Sequence, residues 1–414
     1  MKFDQYYIST DIKKNLADLG FKRPTDIQFK SIPSILNGED VLAIAQTGTG
    51  KTAAFAIPVI DKIHRFKTSK RSYGIKCIVM VPTRELALQI GEVFKKIAQH
   101  TKVKIFTLHG GVEQDRQIAK IQDGVDVLIA TPGRMFDLIH QSIIKTESVT
   151  TLVLDEADHM LDLGFIEDIK YIKKMLKRQH QTLFFSATIN DEIKKLAYSQ
   201  VKTAAIRIQV SPKDRISKNV SHYVMRVDQD DKRLFLARFL HDHPEDKIIV
   251  FVRTKVRAER VIKAMQREGM DDLVTIHGDK DQAERNQAMH SFRSGASRIL
   301  VATDVSARGI DVPDVNYVIN YDLPEKEENY VHRIGRTGRG MNKGEAISFC
   351  SSEEKELLEA IQQFIDKPIE ELKISKKGYA EIVKPCIDTP KDLRSMILGA
   401  EPTDAKKSAK KKRG

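Results

Sequence analysis

Short, nearly continuous apolar runs recur along the chain. Each is followed by a polar or glycine-bearing turn, then by a stretch with apolar residues at helical spacing. In the first half the runs fall at residues 40–45 (DVLAIA), 76–81 (KCIVMV), 104–109 (KIFTLH), 126–130 (DVLIA), 151–155 (TLVLD), 182–187 (TLFFSA) and 204–210 (AAIRIQV). Near-continuous apolar character, rather than strict alternation, suits parallel strands covered on both faces. The segments 85–100 and 167–178 carry apolar residues at the spacing of amphipathic helices. This alternation predicts an α/β fold with a doubly wound, mostly parallel sheet.

The pattern pauses at 211–220, where Pro212 stands among alternating charges, and resumes with runs at 221–227, 247–252, 273–277, 298–303, 315–320 and 345–350. The expected organisation is a domain over 1–210, a linker over 211–220 and a second domain of similar layout over 221–366, closed by a helix at 352–366. Beyond Lys367 the chain turns polar, and a poorly ordered basic extension is expected over 367–414. A chain of 414 residues is long enough for two domains that each bury a core.

Candidate chemistry lies after two of the runs. Residues 45–52 read AQTGTGKT and residues 155–158 read DEAD. The first has the spacing of a phosphate-binding loop, with Ala45 in place of the first glycine. Gln46, Thr47, Gly48, Thr49 and Gly50 would wrap a phosphate, Lys51 would reach the β/γ-phosphates, and the Thr52 hydroxyl would ligate Mg²⁺. The second puts carboxylates at the carboxyl end of a strand, where nucleotide sites of α/β sheets lie. The second half has no such loop, so a nucleotide is expected where the two domains meet.

Charge adds an anionic partner. Lys and Arg number 69 against 57 Asp and Glu, a net charge of +12, and part of the excess is local to Lys406, Lys407, Lys410, Lys411, Lys412 and Arg413. That tail reads either as a solvated end or as a non-specific RNA tether. Cys77, Cys350 and Cys386 are too few and too widely spaced for a disulfide framework or a zinc site. No apolar stretch approaches a membrane span and no apolar signal core opens the chain. A cytoplasmic protein is expected.

Further segments stand in order around the first two: GFKRPTDIQ (20–28), PTRELA (82–87), Gly110-Gly111, TPGR (131–134), SAT (186–188), VRT (252–254), HGDKDQAER (277–285), TDVSARGID (303–311) and HRIGRTGR (332–339). In order and spacing as well as letters they resemble the motifs of the DEAD-box RNA helicases of superfamily 2. The short N-terminus, compact core and basic tail resemble the bacterial RhlE-type subgroup. The resemblance implies two tandem RecA-like domains, with ATP in the cleft and single-stranded RNA across both.

It also implies residue roles. Gln28 would bond the adenine edge and Phe3 would stack on the base, with Phe21 beside them; Asp26 stands where the family often has proline. Asp155 would hold Mg²⁺ through water. Glu156 would orient or deprotonate the attacking water. Asp158, Ser186, Thr188 and His332 would couple the nucleotide and RNA sites. Arg336 and Arg339 would be arginine fingers, with Gly335 and Gly338 allowing close backbone approach, and Asp311 would contact the ribose or help close the cleft.

RNA contact is implied for Pro82, Thr83, Arg84, Gly110, Gly111, Thr131, Pro132, Gly133, Arg134 and the helix start near Gly164-Phe165. In the second domain it is implied for Arg253, Thr254, Gly278, Gln282, Arg285 and Thr303. These segments offer phosphate and sugar ligands and few aromatics, so weak sequence preference is expected. The reading is an ATP-dependent RNA helicase, expected to be a monomer, acting on single strands and short duplexes in ribosomal or messenger RNA complexes. Its rivals are an ATP-gated RNA clamp, a DNA helicase of the same superfamily and an RNA chaperone acting through the tail.

Overall fold

The computed structural model describes residues 2–383 except 46–47, 70, 72–73, 177–178, 189, 211–215, 218, 308–311, 313 and 339–341, and except the side chains of 282, 305 and 307. Gln46, Thr47, Asp311, Arg339, the side chain of Gln282, most of the expected linker and the basic tail lie outside the described residues. The described chain forms two compact units, one up to Val210 and one from Ile216.

The first unit opens with helices α1 (Thr10–Asp18) and α2 (Asp26–Leu36). Seven strands follow: β1 (Val41–Ala45), β2 (Cys77–Met80), β3 (Ile105–Leu108), β4 (Val127–Ala130), β5 (Thr151–Leu154), β6 (Gln181–Ser186) and β7 (Ile206–Val210). Between them run α3 (Lys51–Phe66), α4 (Arg84–Ile97), α5 (Gln114–Gln122), α6 (Pro132–His140), α7 (Ala157–Asp162), α8 (Ile166–Met175) and α9 (Asp191–Gln200). The strand order is β3-β4-β2-β5-β6-β1-β7, and every pairing is parallel, as in Val41 opposite both Leu183 and Ile206.

Successive strand residues point to opposite faces. Phe184 and Phe185 are both wholly buried, yet they join different cores. Phe185 packs with Phe55 and Phe94 of α3 and α4, whereas Phe184 packs in the core of Met135, Met160 and Ile169 from α6, α7 and α8. The continuous apolar runs are thus explained by helices on both faces.

The second unit repeats the plan. Its elements are β8 (Val220–Arg226), α10 (Lys232–Asp242), β9 (Ile248–Phe251), α11 (Lys255–Arg267), β10 (Leu273–Ile276), α12 (Gln282–Ser294), β11 (Ile299–Ala302), α13 (Asp304–Ala307), β12 (Tyr317–Asn320), α14 (Glu327–Ile334), β13 (Gly344–Cys350), α15 (Lys355–Ile365), β14 (Glu370–Glu371) and α16 (Lys376–Val383). The order is β10-β11-β9-β12-β13-β8-β14, again all parallel.

The expected lack of order from Lys367 needs correction as far as Val383. β14 adds to β8, and the Leu372 amide donates to the Val224 carbonyl at 2.8 Å. Ile369 and Ile382 are buried. The Tyr379 ring lies 4.9 Å from that of Phe235, and its hydroxyl donates to Asp231 at 2.8 Å and accepts from the Asp228 amide at 3.0 Å. The segment is polar overall, but Leu372, Ile374, Tyr379, Ile382 and Val383 fall against the second core.

Candidate functional site

Because each sheet is wholly parallel, its strands end on a single edge, the edge where ligands of open α/β sheets bind. Strand order then sorts the motifs. Gly110-Gly111 follow β3, residues 131–134 follow β4 and residues 82–87 follow β2, and these three strands are neighbours. Asp155–Asp158 follow β5, Ser186–Thr188 end β6 and the glycine loop follows β1, the next three strands across. The residues implied in RNA contact and those implied in nucleotide contact therefore occupy adjoining halves of one edge.

In the nucleotide half, Gly50 has φ +90° and forms the N-cap of α3. The N-terminus of that helix presents free amides and a positive dipole end to an anion. Gln28 is buried; its Oε1 accepts from the Thr25 amide at 3.0 Å and its Nε2 donates to the Gly50 carbonyl at 3.1 Å. Gln28 thus closes the N-terminal capping box of α2 and steadies the carbonyl beside Lys51. Both amide groups implied in adenine recognition have protein partners here. Phe3 is buried, with its ring 5.8 Å from Phe21 and 6.0 Å from Tyr6.

The Lys51 ammonium is buried, and no hydrogen-bond partner for it exists among the described residues. A buried charged donor left unsatisfied is costly, so Lys51 calls for a hydrogen-bonding anion that the described residues do not supply. A nucleotide phosphate fits that demand. Asp155 is also buried. Burial pushes its carboxyl up to about 6; Glu156 and Asp158 act in the same direction, while Lys51 and the Glu156 amide, which donates to Asp155 at 3.0 Å, oppose it. A cation beside this carboxylate would relieve that penalty. Among the described residues no group of three His, Cys, Asp or Glu stands ready to cage a metal. One carboxylate and the half-buried Thr52 hydroxyl, completed by phosphate and water, suit Mg²⁺.

Glu156 adopts a left-handed backbone (φ 51°, ψ 49°) at the N-cap of α7. Strain of this kind recurs at functional sites. His159, a residue the sequence reading passed over, is buried one turn further on, and its Nδ1 lies 3.4 Å from Glu156 Oε2. Asp158 turns to the neighbouring strand end. Its Oδ2 accepts from the Ala187 amide at 3.2 Å, the Thr188 amide at 3.0 Å and the Thr188 hydroxyl at 3.0 Å. Ser186 is buried at the end of β6.

In the RNA half, Thr83 caps α4, accepting from the Leu86 amide at 3.3 Å. Pro82 is buried, and Arg84 lies against Gly110, where an added Cβ would meet Nη2 at 3.0 Å. Pro132 opens α6 after the buried Thr131, Gly133 is exposed, and Arg134 donates to Gln117 at 2.6 Å. Gly111 is exposed, and Phe165 is the N-cap of α8.

The second unit places its segments correspondingly. Gly278 follows β10, Thr303 follows β11 and Arg253-Thr254 follow β9, three adjacent strands. Gly278 and Thr254 are exposed, whereas Thr303 is buried and shares a 3.0 Å hydrogen bond with Ser306. Arg285 is half-buried on α12. Arg253 is more engaged than an RNA ligand need be: its guanidinium donates to Glu354 at 3.1 Å and its amide to Asp322 at 3.0 Å. Glu354 in turn pairs with the fully buried Lys232 at 2.5 Å.

The arginines of residues 332–339 divide by environment. Arg333, singled out by no motif role, is 1 % exposed. Its Nε and Nη2 grip Asp304 at 2.5 and 2.9 Å, and Nη1 donates to the Asp322 carbonyl at 2.6 Å. Arg336 is buried, and its Nε donates to the His332 carbonyl at 3.0 Å. His332 is half-buried on α14. Of the two glycines expected to allow close approach, Gly338 serves packing within its own unit. Gly338 has φ +64°, and a Cβ there would meet Val220 at 2.5 Å and the Asn219 carbonyl at 2.9 Å. Its close approach is to its own unit's β8.

Comparison with known proteins agrees with this arrangement. The DEAD/DEAH box helicase family model matches residues 25–196, and the helicase conserved C-terminal domain model matches residues 231–341. DEAD-box ATP-dependent RNA helicase CshA of Bacillus subtilis is 40 % identical over 371 residues, which cover 90 % of this chain and 74 % of that protein. Among solved structures, S. cerevisiae Dbp5 bound to RNA and ADP BeF3 superposes with a TM-score of 0.80 at 31 % identity, covering 90 % of this chain and 95 % of that one. Mss116p bound to ssRNA and AMP-PNP gives 0.81 at 28 % identity, over 93 % and 83 %. The chain belongs to the DEAD-box ATP-dependent RNA helicases.

Proposed function

We propose that the protein couples ATP hydrolysis to local separation of RNA strands, with domains 1–210 and 221–366 acting together. The observation that carries this reading is the pair formed by the buried Lys51 ammonium, which has no hydrogen-bond partner among the described residues, and the Asp158 carboxylate tied to residues 187–188. One demands an anion in the glycine loop; the other links that site to the neighbouring strand end.

Lys51, with Gln46, Thr47, Gly48, Thr49 and Gly50, holds the phosphates. Gln28, Phe3 and Phe21 hold the base and Asp311 the ribose. Thr52 and Asp155 would hold Mg²⁺, which when bound supplies charge neutralisation at the phosphoryl oxygens. Glu156 orients or deprotonates the attacking water. Arg336 and Arg339 stabilise charge on the transferred group, a contribution of roughly 10³–10⁵ in rate. Asp158, Ser186, Thr188 and His332 transmit the nucleotide state to the RNA contacts. Those contacts are Pro82, Thr83, Arg84, Gly110, Gly111, Thr131, Pro132, Gly133, Arg134, Arg253, Thr254, Gly278, Gln282, Arg285 and Thr303.

A monomer in the cytoplasm, acting on ribosomal or messenger RNA complexes, completes the proposal. No helix among the described residues is long and apolar enough to cross a membrane. The RhlE-type subgroup draws no support from the relatives at 40 % identity, which are named CshA, and nothing in the mechanism depends on it.

The test is steady-state ATPase with and without single-stranded RNA, for wild type and Glu156→Gln. Strong RNA stimulation that disappears in the variant is expected. ATPase indifferent to RNA would sink the coupled reading, and tight ATP-dependent RNA binding with negligible turnover would replace it with a clamp.

A further inference from the structure

The second unit carries a strongly basic cavity that the proposed mechanism does not use. It has a volume of about 310 Å³ and lies between α10 and α11, lined by Arg233, Arg257, Arg260, Lys263, Arg267 and Tyr321 over apolar α11 residues. Among the described residues no acidic side chain lines it. Arg233, Arg260, Lys263 and Arg267 are exposed, and Arg233, Arg260 and Arg267 have no carboxylate partner among the described residues. Arg257 does: its Nε lies 3.1 Å from Asp322 Oδ1, and the other oxygen of that carboxylate accepts from the Arg253 amide at 3.0 Å. The cavity is thereby joined, through one carboxylate, to the segment that carries Arg253 and Thr254.

Like charges three and four residues apart on a helix repel, and this face of α11 sets them at 257, 260, 263 and 267. A bound anion offsets that repulsion. Four of the five cations are arginines, whose planar fork matches phosphate in bidentate fashion. From Arg257 to Arg267 the helix rises about 15 Å, enough for several phosphates in sequence. The anion in reach of Arg253 and Thr254 is the RNA itself.

We propose that RNA leaving Arg253 and Thr254 continues along α11 and seats its phosphodiester backbone on Arg257, Arg260, Lys263 and Arg267. The site is sequence-independent and extends the RNA footprint beyond the family motifs. It rests on the RNA-binding reading above.

The test uses the full chain. Equilibrium binding of single-stranded RNAs of increasing length is measured across a salt series for wild type and R260Q/K263Q/R267Q, with ATPase at saturating RNA as control. On the shortest RNA that stimulates ATPase the two proteins should bind alike and turn over alike. On longer RNA wild type should gain affinity while the variant gains tenfold less or worse. The variant's slope of log K against log salt should be shallower by about 2, at roughly 0.7 per phosphate for single strands. R260K/R267K, which keeps the charge, should retain the wild-type slope. Were the triple variant to unfold, R267Q alone should still lose about 0.7 of slope. Equal slopes at every RNA length would overturn the proposal, and binding of polyglutamate that the triple variant loses would assign the cavity to an acidic protein segment instead. Absence of RNA stimulation in wild type would be a different failure, that of the helicase reading itself.

Discussion

Arg333 and Gly50 illustrate how single residues hold this fold to its task. Arg333 is buried with its guanidinium spread over Asp304 and the Asp322 carbonyl, so it fixes the start of α13 to α14 rather than reaching a ligand. Removing one partner of a buried ion pair costs about 3–5 kcal/mol. Arg333→Met should therefore lower the stability of the second unit by that order, with a loss of chemical-denaturation midpoint that Arg333→Lys only partly restores. Gly50 is constrained differently. An alanine there would be strained at φ +90° and would place its Cβ 2.5 Å from Gln28 Nε2. Strain of this kind costs about 1–3 kcal/mol. Gly50→Ala should weaken nucleotide binding tenfold or more in a fluorescent-nucleotide titration while the protein stays folded.

Tyr321 gives the second unit an alkaline limit. Burial pushes its hydroxyl up to about 12 against the opposing pull of Arg257, whereas a tyrosine in an unfolded chain ionises near pH 10. Between those values the folded unit retains a proton the unfolded chain has lost. The contribution is therefore whole below about pH 10 and fades as pH rises towards 12. The urea midpoint of Tyr321→Phe should fall less than that of wild type between about pH 9 and about pH 11.

At the scale of elements, the strands were legible because parallel strands buried on both faces leave continuous apolar runs. Residues 182–187 mark β6 unambiguously, since Phe184 and Phe185 each need a core of their own. The glycine loop and residues 155–158 were legible because their chemistry needs particular residue types at fixed spacing. Two things were not. The role of Arg333 depends on a partner 29 residues away on another strand end, a distance no local pattern encodes. The order of β14 and α16 depends on a handful of apolar side chains meeting α10 and β8, and a polar stretch conceals them. That attachment has a measurable consequence. Tyr379→Phe removes the hydroxyl that bonds Asp231 and the Asp228 amide, at about 0.5–1.5 kcal/mol for each bond. The unfolding midpoint should drop accordingly, with RNA-stimulated ATPase unchanged.

For the whole molecule, two units of one plan divide the labour. Only the first carries the glycine loop and the DEAD segment, and only the second carries Arg336 and Arg339. Under the proposed mechanism, hydrolysis requires both. Turning a mostly open population into a mostly closed one, from 1:99 to 99:1, takes about 5.5 kcal/mol of differential binding. Base-pair steps cost on the order of 1–2 kcal/mol each, so a single closure disrupts only about three to five pairs, and a long duplex re-forms behind it. Strand separation should therefore fall steeply with duplex length. In a fluorescence assay at saturating ATP, a duplex of about 8 pairs should separate readily, and one of about 30 pairs of similar composition should resist despite equal ATPase stimulation. Equal rates for the two would mean that the units step along the strand rather than open it locally, and the closure energetics would no longer describe the enzyme.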